Sequence, residues 1–344
     1  MPTSDRPVDA QLSPDELSPD ELSAAALGPE ELSPDEVAAR RERAVRAAVG
    51  AGRALGLTVT EPAVLYDVFS VVVHLRPAPV VVRVPTVLPP TVAADPDGQR
   101  AQQCRELAVT AWLAGRGHPV VAPSPLVPRE PVRRDGYSMT FWQHVSPLTE
   151  DRVSGTDDPE RARHVARLHA ALADYPGELR FLLPLDASIP DGLARLAGRP
   201  ELLDAAALHR ARTEWAQLGP LATPAGFAAR FPGLAVQPVH GDAPAYNIIT
   251  TEAGPLSADF EHVTLGPVEW DLAFATPADR AAYDAGAAEL GLRGLDTGLL
   301  RVMECARMIQ LVACLPLAPL LPGLAAGVRP LLDQWLASPP LDCL

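Results

Sequence analysis

Lysine is absent from this chain of 344 residues, so all 29 of its strongly basic side chains are arginines. The absence excludes enzymes that form a Schiff base through lysine, including those that attach pyridoxal phosphate. It also excludes the phosphate-binding loop GxxxxGK(S/T), whose lysine contacts the phosphates directly. A phosphate bound by this protein must therefore be held by arginine, by backbone amides or by a metal ion.

Long apolar runs and paired cysteines are also missing. The most apolar region, residues 308–328, is interrupted by Pro316, Pro319 and Pro322, which favours buried helices joined by turns over a membrane span. None of the four cysteines has CxxC spacing, and the acidic N-terminal residues do not resemble a secretory signal. We therefore expect a cytoplasmic protein without a membrane partner.

Acidic residues outnumber basic ones. The chain has 43 aspartates and glutamates, which gives a formal net charge of -14. A surface of this sign repels the phosphate backbone of nucleic acids and accepts cationic ligands. Nucleic acid is therefore not an expected partner.

Much of the negative charge lies in a repetitive N-terminal segment. The pentapeptide Leu-Ser-Pro-Asp-Glu occurs at residues 12–16, 17–21 and 32–36. Each copy has a serine that can cap a helix, a proline suited to the first helical turn and a glutamate that can complete a capping box. Only the third copy precedes an amphipathic pattern, so we expect residues 1–36 to form an acidic, disordered tail and residues 37–56 to form a helix.

Residues 57–145 contain short β-branched runs bounded by turns. Val-Val-Val-His-Leu-Arg at 71–76 and Val-Val-Val-Arg-Val at 80–84 flank a Pro-Ala-Pro turn, which predicts an antiparallel hairpin. One helix is expected at about residues 98–114, and further short strands follow, of which 137–142 is the clearest. The pattern predicts a small antiparallel sheet with a single helix.

From residue 146 onward the sequence is mainly helical, with amphipathic patterns at 161–172 and 299–314. A single β-like segment, residues 236–258, interrupts the helices. A small β-rich part followed by a larger helical part indicates an α+β protein with two lobes. A cleft between the lobes is the expected place for a ligand.

The β-like segment contains the residues best suited to chemistry. Ile248-Ile249-Thr250 and Pro255-Leu256-Ser257 are short enough to pair as a hairpin, which would place Asn247, before the first strand, beside Asp259, after the second. Amide and carboxylate oxygens suit Mg²⁺, which takes its remaining ligands from water and substrate phosphates. Asp242 is left free to accept a proton from a hydroxyl. This division of roles is what phosphoryl transfer needs.

These residues resemble the motifs of a known family. His240-Gly241-Asp242 with Asn247 resembles the HGDxxxxN catalytic loop of the aminoglycoside phosphotransferase (APH) family. Asp259-Phe260-Glu261 looks like the metal-binding aspartate segment of that family, and Gly-Pro-Val-Glu-Trp-Asp-Leu-Ala at 266–273 looks like its GPxxxDLA helix. The order and spacing of the three segments make the resemblance specific.

The resemblance implies a bilobal, protein-kinase-like fold. Its small antiparallel-sheet N-lobe, with one helix, would span residues 57–145 and bind the nucleotide. Its larger, mainly helical C-lobe would span residues 146–344 and carry the catalytic loop, the metal site and the acceptor site.

The resemblance also assigns roles in the C-lobe. Asp242 would be the catalytic residue that receives the proton of the acceptor hydroxyl, and Asn247 and Asp259 would hold Mg²⁺. His240 and Asp271 would support the catalytic loop through packing and hydrogen bonds, without touching the substrate.

In the N-lobe, kinase-like enzymes hold the phosphates with a cation on the third strand, paired with a glutamate on the single helix. Arg83 and Glu106 occupy the matching positions, and strand alternation puts Val81 on the same face as Arg83, where it could cover adenine. The hinge that would read the adenine edge through its backbone consists of Phe141, Trp142, Gln143 and His144.

Two segments depart from the family pattern. Residues 65–71, which should cover the phosphates, contain no glycine, so contact there would fall to Ser70 and a few amides. Ala245-Tyr246 stands where the family usually has a small Pro-Gly pair, which could reshape the acceptor side.

The sequence therefore predicts a Mg²⁺-dependent enzyme that moves the γ-phosphate of ATP, or of GTP, to a hydroxyl of a small molecule. The alternative is a catalytically weak or inactive kinase-fold protein that binds a nucleotide or another ligand. The identity of the acceptor, the choice between ATP and GTP, and the oligomeric state are left open.

Overall fold

The computed structural model describes residues 31–148, 158–242 and 244–341. Most of the predicted acidic tail, residues 1–30, lies outside the described residues. No helix among the described residues is both long enough and apolar enough to cross a bilayer.

The N-terminal helix α1 (Pro34–Ala54) begins three residues before its predicted start. Ser33 Oγ accepts a hydrogen bond from the Glu36 amide, and the Glu36 carboxylate accepts one from the Ser33 amide at 2.8 Å, so the third pentapeptide forms the capping box that its sequence predicts. The buried face of α1 consists largely of alanines, which let the helix lie close to the sheet.

The sheet has the order β1-β2-β3-β5-β4, and all of its neighbouring strands are antiparallel. The predicted hairpin of the two valine-rich runs is confirmed. Alternate side chains pack beneath α1, among them Val71, Val73 and Val82, and the opposite face points toward the rest of the protein. The strands are β1 (Val59–Asp67), β2 (Ser70–Pro77), β3 (Val80–Pro85), β4 (Val132–Arg134) and β5 (Tyr137–Gln143).

Two helices connect β3 to β4. A single turn, α2 (Pro90–Ala93), precedes the long helix α3 (Pro96–Gly115), whose first turn is capped by the Asp95 carboxylate. The predicted single helix is thus preceded by one extra turn. The buried side of α3 carries Glu106 and Leu107 toward the free face of the sheet.

The remaining part of the chain is mainly helical. Its largest apolar core includes helix α9, whose Val302, Met303, Ala306 and Ile309 are all buried. Short 3₁₀ turns join several of the helices. The helices are α4 (Pro159–Ala173), α5 (Ser188–Arg195), α6 (Ala205–Leu218), α7 (Pro224–Arg230), α8 (Pro277–Glu289), α9 (Thr297–Cys314) and α10 (Leu324–Ala337).

Two small two-stranded sheets lie within the helical part. Strands β6 (Gln237–Val239) and β9 (Thr264–Gly266) pair with each other, and β7 (Ile248–Thr251) pairs with β8 (Gly254–Ser257). The second pair is the predicted hairpin, and Ile248 faces Ser257 as expected. An antiparallel sheet followed by a helical part with these β elements confirms the predicted α+β architecture.

Candidate functional site

An apolar cluster joins the free face of the sheet to the β7–β8 hairpin. Its four buried side chains are Val81, Leu107, Val121 and Trp142. Five partly buried side chains pack against them: Val72, Val145, Ile249, Leu256 and Ala258. The sheet and the hairpin thus meet through apolar side chains, the kind of lining that binding sites for flat aromatic rings use.

Asp271 holds the backbone of the loop that carries Asp242. Its two carboxylate oxygens each accept one amide hydrogen bond at 2.8 Å, Oδ2 from His240 and Oδ1 from Gly241. His169 Nε2 lies 2.9 Å from Asp271 Oδ2. The Trp270 indole donates to the Gly241 carbonyl at 2.8 Å. Three residues far along the chain from Asp242, His169 before it and Trp270 and Asp271 after it, therefore fix the entry to this loop.

Gly241 is required by its conformation. Its φ of +86° lies in the left-handed region, and a Cβ placed on it would come within 1.9 Å of the His262 carbonyl oxygen. The neighbouring His240 is fully buried, places Nε2 2.9 Å from the Ala258 carbonyl and packs against the Phe260 ring. His240 and Asp271, which the sequence analysis treats as supporting residues, thus both lie in the buried framework around Asp242.

Both oxygens of Asp242 have partners. Oδ1 accepts a hydrogen bond from Arg307 Nη2 at 2.8 Å, and Oδ2 accepts one from Asn247 Nδ2 at 3.2 Å. Burial alone would raise the pKa of Asp242, but the charges of Arg307 and His262 outweigh it and hold this pKa well below its usual range. The carboxylate remains ionised, and 36% of the side chain is exposed to solvent.

Asn247 directly precedes β7 and Asp259 lies two residues after β8, so both lie at the open end of the β7–β8 hairpin. The Asn247 carbonyl accepts a hydrogen bond from the Ala258 amide at 2.8 Å, so the backbones at 247 and 259 are adjacent. Asp259 has a φ of +65°, a conformation that aspartate tolerates better than most residues. The structure thus brings Asp242, Asn247 and Asp259 to one end of the hairpin, as the predicted pairing requires.

Arg83 is the centre of a carboxylate cluster. Its Nη1 donates to Asp259 Oδ1 at 2.8 Å and to Glu261 Oε2 at 2.7 Å, and its Nη2 donates to Glu106. Although burial opposes its charge, the carboxylates of Glu106, Glu261 and Asp259 raise the pKa of Arg83. The forked guanidinium can serve three carboxylates at once, which one ammonium group could not match in geometry.

Burial also shifts the pKa values of the carboxyl groups around Arg83. Burial raises the pKa of Glu106 to about 8, although Arg83 works in the opposite direction. Burial and the neighbouring charge of Glu261 raise the pKa of Asp259. At Glu261 burial acts in the same direction, but Arg83 and His262 outweigh it and lower the pKa. The surplus of negative charge follows from the contacts themselves, since three carboxyl groups share one guanidinium.

A divalent cation fits this surplus of charge. Among the described residues, no group of three or more His, Cys, Asp or Glu side chains is arranged to hold a metal ion. Asn247 and Asp259 can supply two oxygen ligands, a set that suits Mg²⁺, because Mg²⁺ usually keeps several waters and completes its shell with substrate phosphates. The donor chemistry present therefore fits Mg²⁺ bound together with a phosphorylated ligand.

Comparison with known proteins decides the family. The model of the phosphotransferase enzyme family, APH, matches residues 63–307, which span both parts of the fold. The chain belongs to this family. The resemblance that the catalytic-loop motifs indicate is thus confirmed. No curated protein matches the chain significantly.

Solved structures similar to this phosphotransferase share its fold at low sequence identity. They include APH(2″)-IIia in a complex with GDP and kanamycin, 15% identical, with a TM-score of 0.52 over 82% of this chain and 94% of that one. Spectinomycin phosphotransferase APH(9)-Ia, in complex with ADP and spectinomycin, is 10% identical, with a TM-score of 0.54 over 85% and 94%. Choline kinase LicA from Streptococcus pneumoniae is 12% identical, with a TM-score of 0.55 over 85% and 98%. The predicted bilobal, kinase-like fold is confirmed.

Contacts from two distant segments hold the glycine-free β1–β2 turn in place. Arg40 of α1 donates through Nη2 to Asp67 Oδ1 at 3.3 Å and through Nη1 to the Leu320 carbonyl at 2.5 Å. Val68 in the turn packs on the C-terminal segment that contains Leu320. Ser70 lies directly after the turn, at the start of β2. Contacts with α1 and with a segment about 250 residues away thus fix a turn that has no glycine of its own.

In the predicted hinge, two backbone N–H groups already donate hydrogen bonds to carbonyls of the protein. The Gln143 amide donates to the Ala122 carbonyl at 2.9 Å, and the His144 amide donates to the Pro79 carbonyl at 3.0 Å. The His144 ring stacks on the His74 ring with 3.8 Å between centroids. Phe141 and Trp142 are buried. A base bound beside this segment would have to meet backbone groups other than these two N–H groups.

Two charged residues of the site were not among the sequence predictions. Glu261 lies two residues after Asp259, in a turn that follows the left-handed backbone of Asp259, so no strand period marks it as a neighbour of Asp259. Arg307 lies on α9, 65 residues after its partner Asp242, and no local pattern marks it.

Proposed function

We propose that this protein transfers the γ-phosphate of ATP, or of GTP, to a hydroxyl of a small molecule, with Mg²⁺ bound at the site. The observation that carries the proposal is the arrangement at the end of the β7–β8 hairpin, where Asp242, Asn247 and Asp259 meet the Arg83–Glu106 ion pair. Phosphoryl transfer depends mainly on positioning and charge neutralisation, and these are what the residues offer.

The nucleotide base would bind at the apolar cluster, between its sheet side and its hairpin side. Val81 and Val72 would cover one side of the ring from the sheet, and Ile249 and Leu256 would support the other side from the hairpin. The phosphates would then lie toward Arg83, beyond Val81 on the same strand. Arg83 Nη1 is shared between two carboxylates, so a phosphate oxygen can replace one of them without leaving Arg83 unpaired.

Mg²⁺ would be held by the side-chain oxygens of Asn247 and Asp259. When bound, it would supply positive charge to the phosphates, and it would also relieve the repulsion between Asp259 and Glu261 that raises the pKa of Asp259. Asn247 can present its Oδ1 to the metal because its Nδ2 is directed to Asp242.

Asp242 would receive the acceptor hydroxyl. Since the pKa of Asp242 is lowered, the carboxylate is a weak base, and its main contribution is to orient the hydroxyl by accepting its hydrogen bond. The proton would pass to Asp242 only as the new bond to phosphorus forms, which is compatible with a loose transition state that needs little base strength.

The acceptor is proposed to be a small hydroxylated molecule that is neutral or cationic. Four carboxylates, those of Glu106, Asp242, Asp259 and Glu261, face two guanidiniums at the site. This excess of negative charge disfavours an anionic acceptor. Similar structures contain kanamycin and spectinomycin, and another is a choline kinase, so hydroxylated amines are the first class to assay.

The proposal is tested with nucleotide and metal together. We expect ATP or GTP to raise the unfolding temperature clearly in the presence of Mg²⁺ and much less in EDTA, because ligand that binds only the folded state stabilises it. Labelled γ-phosphate should then pass to at least one member of a panel of amino sugars, amino alcohols and other hydroxylated compounds. Metal-dependent binding with no transfer to any acceptor and no hydrolysis would favour the alternative of an inactive nucleotide-binding protein. No thermal response to either nucleotide would contradict the proposed nucleotide site.

A further inference from the structure

Helix α9 carries a buried arginine that reaches the proposed acceptor residue. Arg307 has only 7% of its surface exposed. Its Nη2 donates to Asp242 Oδ1 at 2.8 Å, and its Nη1 donates to the side-chain oxygen of Gln310, one turn further along α9, at 3.0 Å. Its guanidinium carbon also lies 5.2 Å from the centre of the Trp270 ring, within the range of a cation–π contact.

These contacts fix Arg307 as a rigid support. Trp270 is itself fully buried and bonded to the carbonyl of Gly241, the residue before Asp242. One assembly therefore holds both the backbone before Asp242 and one oxygen of its carboxylate. The planar guanidinium is suited to this, because its donors point in fixed directions.

The hydrogen bond from Arg307 makes the two carboxylate oxygens of Asp242 inequivalent. Oδ1 is occupied by a buried, charged donor, whereas the one hydrogen bond that Oδ2 accepts within the described part of the chain is the longer one of 3.2 Å from Asn247 Nδ2. Of the two, Oδ2 is the oxygen that a hydroxyl can approach. Because Asn247 is a proposed metal ligand, Oδ2 is also the oxygen nearer to the expected phosphates.

We propose that Arg307 is a positioning residue for phosphoryl transfer, which directs Asp242 Oδ2 at the acceptor hydroxyl and offsets the repulsion between the Asp242 carboxylate and the triphosphate. The inference rests on the proposed function. In the step concerned, the acceptor oxygen forms a bond to the γ-phosphorus while the bond from that phosphorus to the β,γ-bridging oxygen breaks. The hydroxyl proton passes to Oδ2, and the electrons of the broken bond leave with the nucleoside diphosphate.

The stability of the fold does not explain why a buried arginine lies at position 307. Helix α9 is anchored by an extensive apolar face that includes Val302, Met303 and Ile309. A buried ion pair is weak support for stability, because removing two charges from water costs about as much as their attraction returns. An arginine placed beside a partly exposed carboxylate in a cleft is better explained by its effect on that carboxylate.

The test measures hydrolysis of MgATP and MgGTP by water, which needs no identified acceptor, in the wild type, Arg307→Ala and Arg307→Lys. We expect kcat to fall about 100-fold in Arg307→Ala, with the nucleotide KM changed less than about threefold, because the donor side of the site is untouched. Arg307→Lys keeps the charge but not the forked geometry, so its kcat should lie between those of the wild type and Arg307→Ala.

Guanidinium ion at millimolar concentration should restore at least about a tenth of the lost kcat in Arg307→Ala, since the deletion leaves a space of the shape of this ion. The matched control is Arg301→Ala, an exposed arginine on the same helix, which should match the wild type.

The outcomes distinguish the role of Arg307 from the proposed function. Wild-type kcat in Arg307→Ala, or a loss that guanidinium does not restore, would overturn the role of Arg307 while leaving the proposed function intact. A wild type that neither hydrolyses nor transfers phosphate from either nucleotide would overturn the proposed function, and the inference with it. If Arg307→Ala does not fold, Arg307→Lys decides: a kcat equal to that of the wild type contradicts the proposal, and a reduced kcat at unchanged nucleotide KM supports it.

Discussion

Asp242→Asn is expected to reduce phosphate transfer by about a thousandfold or more, because the amide cannot accept the proton of the acceptor hydroxyl as the new bond forms. Nucleotide binding should persist. The asparagine carbonyl can still accept the hydrogen bond of Arg307, and the loop backbone is held by Asp271 rather than by residue 242. The change is therefore expected in kcat, measured as release or transfer of labelled phosphate.

The control for this variant is Asp174→Asn, which alters an exposed aspartate at the end of α4. Asp174→Asn should keep the wild-type kcat. Thermal shifts with MgATP or MgGTP should be similar in Asp242→Asn, in the control and in the wild type. Turnover of Asp242→Asn within tenfold of the wild type would remove Asp242 from the proposed role.

Arg83→Leu is expected to lower the free energy of unfolding by about 3–5 kcal/mol, because it removes the guanidinium that three carboxyl groups share, those of Glu106, Asp259 and Glu261. The buried Glu106 loses its hydrogen-bond donor, and Asp259 and Glu261 are left close together without the cation between them. Nucleotide binding should be lost in the same variant. Urea unfolding measures the first effect, and a thermal-shift titration measures the second.

Two matched variants separate charge from geometry at this position. Arg83→Lys keeps the charge but offers no fork, so it should recover much of the stability while binding the nucleotide more weakly than the wild type. The double change Arg83→Leu with Glu106→Leu removes the buried, unpaired carboxylate and should be more stable than Arg83→Leu alone. Equal stability of the single and double variants would show that the Glu106 carboxylate does not depend on Arg83.

Local patterns carried most of what the sequence could predict. Two short β runs with a turn between them predict the β7–β8 hairpin, and the hairpin by itself puts Asn247 beside Asp259. The hairpin depends on residues that are near in sequence. The pairing of Arg83 with Glu106 came from the resemblance to kinase-like enzymes, and strand alternation added only that Val81 shares a face with Arg83.

The rest depends on contacts between distant segments. Arg307 meets Asp242 only because α9 packs behind the catalytic loop, and Arg40 meets Leu320 across 280 residues of chain. No periodicity signals such pairs, since the relative placement of packed helices is set by the whole core. For the same reason the sequence could not show that the glycine-free turn after Asp67 is held in place by α1. Phosphate contact through Ser70 and a few amides of this segment stays a prediction.

The most direct test is a crystal structure of the protein with Mg²⁺ and a non-hydrolysable ATP or GTP analogue. We expect the metal to contact the side-chain oxygens of Asn247 and Asp259, and Arg83 to contact a phosphate oxygen. Asp242 Oδ2 should then face the γ-phosphate across a space that fits a hydroxyl. A nucleotide bound away from the β7–β8 hairpin, or a metal held without Asn247 and Asp259, would contradict the account.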